Sequence, residues 1–398
     1  MSILTDVPTA PRDPILGLTE AFMADPRSDK VNLGVGVYLG EGGKVPLLEC
    51  VRAAEADLAA NPSARGYLPI DGLPAYTKAV RELVFGAESE AVVSGRVVTV
   101  QGLGGTGGLR IGAEFLKTTS AQRKVLLSTP SWENHQALFT RSGFEASGYR
   151  YYDAEARSVD IEGMLADLSA AEPGTVVVLH ACCHNPTGYD LTPQQWQRVA
   201  EVVVSAGLVP FLDLAYQGFA AGLDQDRWAV EYFTTLGIPV LVASSFSKSF
   251  SLYGERVGAL SVVTADAEQA ARVLSQLKVT IRTLYSNPPT HGAAVVARVL
   301  SDPELRAGWE SELAGMRDRI KRMRQALVAT LADSGIDADF SFITDQVGMF
   351  SYSGLTTAQM QALRSEHGVY GTDAGRICVA ALNDANVAKV AAAIAAVL

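Results

Sequence analysis

Lys248 and Asp213 lie far apart along the chain, yet each closes an apolar run: VPFLD ends at Asp213, and VLVASSFSK ends at Lys248. An amine and a carboxylate brought to one edge of a fold can bond a carbonyl carbon and hold a proton on a ring nitrogen. Other reactive types sit after similar runs. Ser131, Trp132 and His135 come after KVLLSTP, Asn185-Pro186-Thr187-Gly188 after TVVVLHACC, and Tyr216 shortly after Asp213. Singly, each has a plainer reading as a turn, a core aromatic, a helix cap, a loop-bonding serine or a solvated lysine. Gathered on one edge, they require several coincidences at once.

VVTVQ empties into Gly102-Leu103-Gly104-Gly105-Thr106-Gly107, which satisfies the G-x-G-x-x-G dinucleotide fingerprint. Glycines let the backbone approach a phosphate, and a helix N-terminus behind them offers free N–H groups. A dinucleotide site also expects an acidic residue about 20 positions on, at the end of the next strand, to hold the ribose. Ser128, Thr129 and Pro130 stand there, and Glu133 lies beyond the turn. That strand supplies Trp132 just past its end, a flat surface for an aromatic ring. The motif reads a phosphate, not a dinucleotide.

One cofactor uses every part: a phosphate, an aromatic ring, a ring nitrogen needing a carboxylate and an aldehyde needing an amine. It is pyridoxal 5′-phosphate, whose signature is a Schiff-base lysine with an acidic partner for the ring nitrogen. Lys248 and Asp213 fill those roles. Gly105, Thr106, Ser245, Ser247 and Arg256 form the expected phosphate cup, from backbone N–H groups, hydroxyls and a guanidinium.

The elements that must position these residues are legible. VVTVQ, KVLLSTP, TVVVLHACC, LVPFLDLAY, PVLVASSFS and VGALSVV alternate with helix-compatible stretches between residue 97 and about 263. Near-continuous apolar strands have both faces covered, which predicts a mainly parallel α/β sheet with ligands at its carboxyl edge. PELRAGWESELAGMRDRIKRMRQALVATLAD predicts one long amphipathic helix leading to a second unit. There FSFITDQVGMFSYSGL and GRICVAAL read as strands, and TTAQMQALRSEHG and DANVAKVAAAIAAVL as helices, giving a small α+β unit. KVNLGVGVYLGEGGKVPLLE is loop-rich and fits neither pattern.

The bulk numbers narrow the partners. A 398-residue chain, 48% hydrophobic and 19% charged, is long enough for two domains with a large core. Lys+Arg 33 against Asp+Glu 43 gives −10, and with no basic run neither nucleic acid nor an anionic membrane is expected. Cys50, Cys182, Cys183 and Cys378 make no disulfide framework and fit a reduced compartment. Cys182-Cys183-His184 suggests a metal, but adjacent thiolates suit a tetrahedral ion poorly, so no metal is expected. The N-terminus lacks a basic region with an apolar stretch behind it, and no run approaches the ~18 apolar residues of a membrane span. A cytoplasmic protein is expected.

CCHNPTG, DLAYQGF, SSFSKSFSLYGERVG, YSNPP and GMFSYSGL resemble the class I aminotransferases, within the aspartate and aromatic amino acid aminotransferase subgroup. The resemblance runs from DPILGL nearly to the C-terminus. It implies the pyridoxal-phosphate transferase fold (fold type I): a large domain over residues 46–315 with a mainly parallel seven-stranded sheet, a smaller α+β domain over 13–45 and 316–398, and an N-terminal arm over 1–12.

The same resemblance implies roles. Lys248 forms an aldimine with the cofactor, then serves as base on the substrate Cα and acid on C4′ of the cofactor, in a ping-pong reaction. Asp213 holds the ring nitrogen protonated, with His135 behind it. Asn185 and Tyr216 bond the phenolic oxygen, and Trp132 covers the ring. Tyr67 reaches the phosphate of a neighbouring subunit, since the family is a homodimer with shared sites. Gly36 contacts substrate through its backbone.

Arg376 precedes the apolar run ICVAAL, where a buried guanidinium needs a carboxylate partner; a structural salt bridge and a substrate carboxylate are equal readings from the residues alone. The resemblance favours the substrate's α-carboxylate. It makes Arg282, before SNPP, the residue that crosses the dimer to a distal carboxylate, which suits aspartate, glutamate and 2-oxoglutarate. Leu39, Val45 and Gly66 are less polar than the positions they resemble in aspartate-selective relatives, and apolar residues there favour aromatic side chains. The expected activity is transfer from aromatic amino acids, and from aspartate, to 2-oxoglutarate. A strict aspartate aminotransferase is the alternative; a nicotinamide-dependent oxidoreductase and a non-catalytic cofactor-binding regulator are remote ones.

Overall fold

The computed structural model describes residues 3–10 and 14–398. Residues 1–2 and 11–12 of the expected arm, and residue 13 beyond it, lie outside the described residues. The central sheet has seven strands: β1 (Val97–Leu103), β2 (Lys124–Thr129), β3 (Glu145–Arg150), β4 (Val176–His180), β5 (Val209–Leu214), β6 (Val240–Ser245) and β7 (Val257–Val263). Their spatial order is β1-β7-β6-β5-β4-β2-β3. Pairings are parallel except those of β7, which runs antiparallel to β1 and β6.

Alternate side chains of the inner strands enter two separate cores. Leu212, Val242 and Ala259 join one; Phe211, Leu241, Ala243 and Leu260 join the other. Period-2 alternation with both faces apolar explains the near-continuous hydrophobic runs. Six strands coincide with the runs read from the sequence. The seventh, EASGYR at the sheet edge, carries mostly exposed side chains and so lacks that signal.

The long helix spans Pro303–Asp333, 31 residues. Asp302 caps it through the N–H groups of Glu304 and Leu305, and Pro303 occupies the first turn, where a missing donor costs nothing. Trp309, Leu313, Met316, Ile320, Met323, Leu327 and Leu331 recur at three- and four-residue spacing along its buried face. The division expected at 315/316 falls inside this continuous helix.

Beyond it, Phe350–Tyr352 pairs antiparallel with Arg376–Cys378, and Val31–Asn32 pairs parallel with Val369–Tyr370. Helices Thr357–His367 and Val387–Ala396 match the sequence reading. Ser341–Asp345 is a 3-10 turn instead of the expected strand, because the Asp339 carboxylate takes the Ser341 N–H at 2.8 Å and its hydroxyl at 3.0 Å. Among the described residues, no helix is long and apolar enough to cross a membrane.

Candidate active site

Strand register sets the site's geometry. His180 at the end of β4 is the direct partner of Asp213 on β5, and Ser245 at the end of β6 faces Gly258 on β7. Because β7 runs backwards, it starts on the edge where the parallel strands finish, and Arg256 immediately precedes it. That reversal delivers a guanidinium to the carboxyl edge of the sheet. A pocket of about 230 Å³ opens there, lined by residues at or after the ends of β1, β2, β4, β5 and β6, by Arg256 before β7, by Gly36 and by residues of the C-terminal unit.

At one end of the pocket, Gly104 opens the helix Gly104–Thr119, whose preceding residue Leu103 offers no side-chain cap. The first amides of this helix are left for a ligand. Gly104 has φ +69°, and a Cβ there would lie 2.6 Å from Arg256 Nη2. Its N–H donates to the Arg256 carbonyl at 2.8 Å, and Arg256 Nη1 donates to Ser247 Oγ at 3.3 Å. Gly105, Thr106, Ser245, Ser247 and Arg256 all line this end, a cradle sized for an anion.

Asp213, Tyr216, Trp132, Asn185 and Lys248 line the same pocket. His135 Nε2 and Asp213 Oδ2 are 2.9 Å apart, and Ser131 Oγ lies 3.0 Å from His135 Nδ1. Burial works to raise the Asp213 pKa, but the hydrogen bond with His135 and the charges of His135, His180 and Lys248 outweigh it, leaving the carboxyl below its ordinary value. Lys248 Nζ lies 4.8 Å from the Tyr216 ring centroid. Desolvation brings this amine down to about 8, against the pull of Asp213 and with help from Arg256 and Arg376.

Arg376 forms the far wall. It is buried, stacked 4.5 Å above the Phe350 ring, and donates from Nη1 to Asn185 Oδ1 and from Nη2 to the Gly34 carbonyl, both at 3.0 Å. Its Nε is buried with no partner. Gly36 stands beside it, where a Cβ would meet the Phe350 ring at 2.7 Å.

The profile of the family described as aminotransferase class I and II matches residues 28–394. The chain belongs to that family. It is 56% identical over 398 residues to an aspartate aminotransferase of Pseudomonas aeruginosa, covering 100% of both. It is 51% identical over 387 residues to an aromatic-amino-acid aminotransferase of Escherichia coli, covering 97% of this chain and 98% of the other. A crystal structure of an aromatic-amino-acid aminotransferase from Burkholderia pseudomallei, covalently bound to pyridoxal phosphate, superposes with a TM-score of 0.98 at 60% identity, covering 100% of both chains.

Within this aminotransferase the structure brings Gly105, Thr106, Trp132, Asn185, Asp213, Tyr216, Ser245, Ser247, Lys248 and Arg256, with Gly36 and Arg376 that the resemblance added, to one pocket. Tyr67 and Arg282 do not join it. Tyr67 is 97% exposed, and Arg282 is exposed with its Nη1 on Ser286 Oγ. Pocket residues that the sequence reading passed over are His180, Tyr253, Phe350, Leu109 and Ala215. His180 ends VVVLH and was open to the same strand-end logic. Phe350 and Tyr253 sit in stretches quoted for the resemblance, with only an aromatic side chain to mark them.

Cys182, Cys183 and Asp226 do converge, with ligand atoms within 4.8 Å of one another. The Asp226 carboxylate, however, already accepts N–H groups of Gly218, Ala220, Ala221 and Gly222. His184 is engaged by Ser128 at 2.9 Å and Thr187 at 2.8 Å, and stacks on Tyr151. Asp226 and His184 thus already hold the loops around them.

Proposed function

We propose that the chain is a pyridoxal 5′-phosphate-dependent aminotransferase that moves the amino group of aromatic amino acids, and of aspartate, to 2-oxoglutarate. The observation that carries the reading is the Lys248 amine in one pocket with the buried Asp213 carboxylate, beside a glycine-lined cradle for an anion. The residues present fit the cofactor: the cradle closed by Arg256 suits its phosphate, and Asp213, kept ionised by His135, suits a protonated ring nitrogen. When bound, the cofactor supplies a carbonyl carbon for exchanging amino groups and an electron-withdrawing ring that acidifies the substrate Cα–H.

The protein's own groups do the rest. Gly105, Thr106, Ser245, Ser247 and Arg256 hold the phosphate. Asn185 and Tyr216 orient the ring through its phenolic oxygen, and Trp132 covers its face. Arg376 takes the substrate α-carboxylate, with Gly36 bounding the same wall; an unpartnered buried Nε in a guanidinium whose side-chain hydrogen bonds go to the neutral acceptors Asn185 and Gly34 supports this role. Lys248 Nζ is the amine that would bond the cofactor's carbonyl carbon, and as a free amine it would take the proton from the substrate Cα. An amine whose pKa stands at about 8 is neutral often enough near pH 7 to act as a base. Two half-reactions that share one site give ping-pong kinetics.

Tyr67 and Arg282, exposed and outside their own pocket, support a homodimer in which each completes the partner's site. Arg282 then meets the distal carboxylate of a dicarboxylic substrate. The pairing of Val31–Asn32 with Val369–Tyr370 supports a small domain over 13–45 and 316–398 against a large one over 46–315. Four buried free cysteines fit a cytoplasmic protein.

The test is kcat/KM for tyrosine, phenylalanine and aspartate with 2-oxoglutarate as acceptor. Both aromatic donors are expected to match or exceed aspartate. Aspartate ahead by orders of magnitude, with tyrosine near background, makes the protein a strict aspartate aminotransferase; turnover of none overturns the whole reading.

A further inference from the structure

Arg376 has one ion-pair neighbour among the described residues. Glu133 Oε2 lies 3.9 Å from Arg376 Nη1, with the arginine side chain 4% exposed and the glutamate 43%. The distance is too long for a hydrogen bond and short enough for a Coulombic contact. Glu133 comes directly after Trp132, a pocket residue, and opens the helix Glu133–Arg141. Its carboxylate therefore reaches from the solvent rim toward a guanidinium whose Nε has no partner.

A plainer role for Glu133 is to complement the dipole at the start of its helix. That role is met by any acid in the first turn and does not depend on facing Arg376. A carboxylate beside Arg376 does something further: it occupies part of the positive field that an incoming carboxylate must use, and it repels any ligand of net negative charge.

We propose that Glu133 sets substrate affinity and selectivity by competing with the substrate carboxylate for Arg376. The inference rests on Arg376 being the α-carboxylate site. Near pH 7 tyrosine and phenylalanine carry no net charge, aspartate carries one negative charge and 2-oxoglutarate two. Glu133 opposes them in that order, biasing donor choice toward aromatic amino acids and keeping acceptor affinity modest. The contact is half exposed, so salt screens it.

The test uses the cofactor-loaded enzyme with Glu133→Gln, Glu133→Asp and Arg376→Lys, assayed by steady-state kinetics at low and high salt. Glu133→Gln is expected to lower KM for 2-oxoglutarate about fivefold, for aspartate about twofold and for tyrosine least, with kcat moving less than KM. Glu133→Asp keeps the charge at the helix start but shortens its reach, and falls between. The 2-oxoglutarate effect shrinks as salt rises. An unchanged or raised KM for 2-oxoglutarate in Glu133→Gln overturns the inference, as does an equal shift for all three ligands. Arg376→Lys separates the two readings. If it raises every KM more than tenfold while Glu133→Gln lowers none, only the Glu133 role fails; if it leaves KM unchanged, the α-carboxylate reading of Arg376 fails.

Discussion

His135 Nε2 lies 2.9 Å from Asp213 Oδ2, with side chains 0% and 7% exposed. Ser131 fixes the other ring nitrogen, so the imidazole cannot turn away from the carboxylate. A buried carboxylate without such a partner is driven to protonate, and a protonated Asp213 could not hold a cation at the cofactor ring. Replacing His135 with phenylalanine is expected to cost about 1–3 kcal/mol of stability, read by denaturant unfolding, since a buried acceptor is left unmade. Asp213→Asn preserves shape and removes charge, and kcat with tyrosine is expected to fall about 10²-fold or more.

The Lys248 amine stands at about 8 against an ordinary 10.5. In cofactor-free protein, pH-dependent labelling of Lys248 by an amine-directed reagent is expected to show a midpoint near that value. Arg256→Ala moves the midpoint up, because one repelling charge is gone. The unfolded chain binds more protons than the folded one between the two pKa values, so this group makes stability rise with pH across that window. A labelling midpoint at the ordinary lysine value contradicts the burial argument.

Gly104→Ala places a Cβ 2.6 Å from the Arg256 guanidinium at a left-handed backbone position. Backbone strain of about 1–2 kcal/mol and a displaced Arg256 are expected together. Titrating pyridoxal phosphate into the cofactor-free variant is expected to show at least tenfold weaker binding, the equivalent of about 1.4 kcal/mol. Unchanged affinity would remove Gly104 and Arg256 from the phosphate seat.

Much of this site was legible because strand ends are legible. Asp213, Asn185 and Lys248 each come after an apolar run, and a parallel sheet brings such ends to one edge. Arg256 obeys different logic: it precedes a strand, and only the reversed direction of β7 turns a beginning into an end. The fingerprint at Gly102–Gly107 had the physics of a phosphate site and the wrong ligand, and the missing acid at Thr129 corrected it. Phe350 and Glu133 were silent because their parts depend on Arg376, more than two hundred residues from Glu133, and no local pattern encodes that contact. The edge strand Glu145–Arg150 gives no such signal because its side chains are mostly exposed on both faces, which erases the apolar run that marks the other strands.

Arg282→Leu separates the two carboxylates of a dicarboxylic substrate. With aspartate, kcat/KM is expected to drop about 10²-fold, the loss of one charged partner; with phenylalanine it changes little. Equal losses for both would show that Arg282 reads no distal carboxylate.

Every proposed step depends on Lys248 carrying the cofactor in the pocket it shares with Asp213. Borohydride reduction of the cofactor-loaded protein, with peptide mapping of the product, tests it most directly. Visible absorbance is expected to be lost, with a single pyridoxyl adduct on Lys248. A colourless protein before reduction, or an adduct on any other lysine, contradicts that role of Lys248.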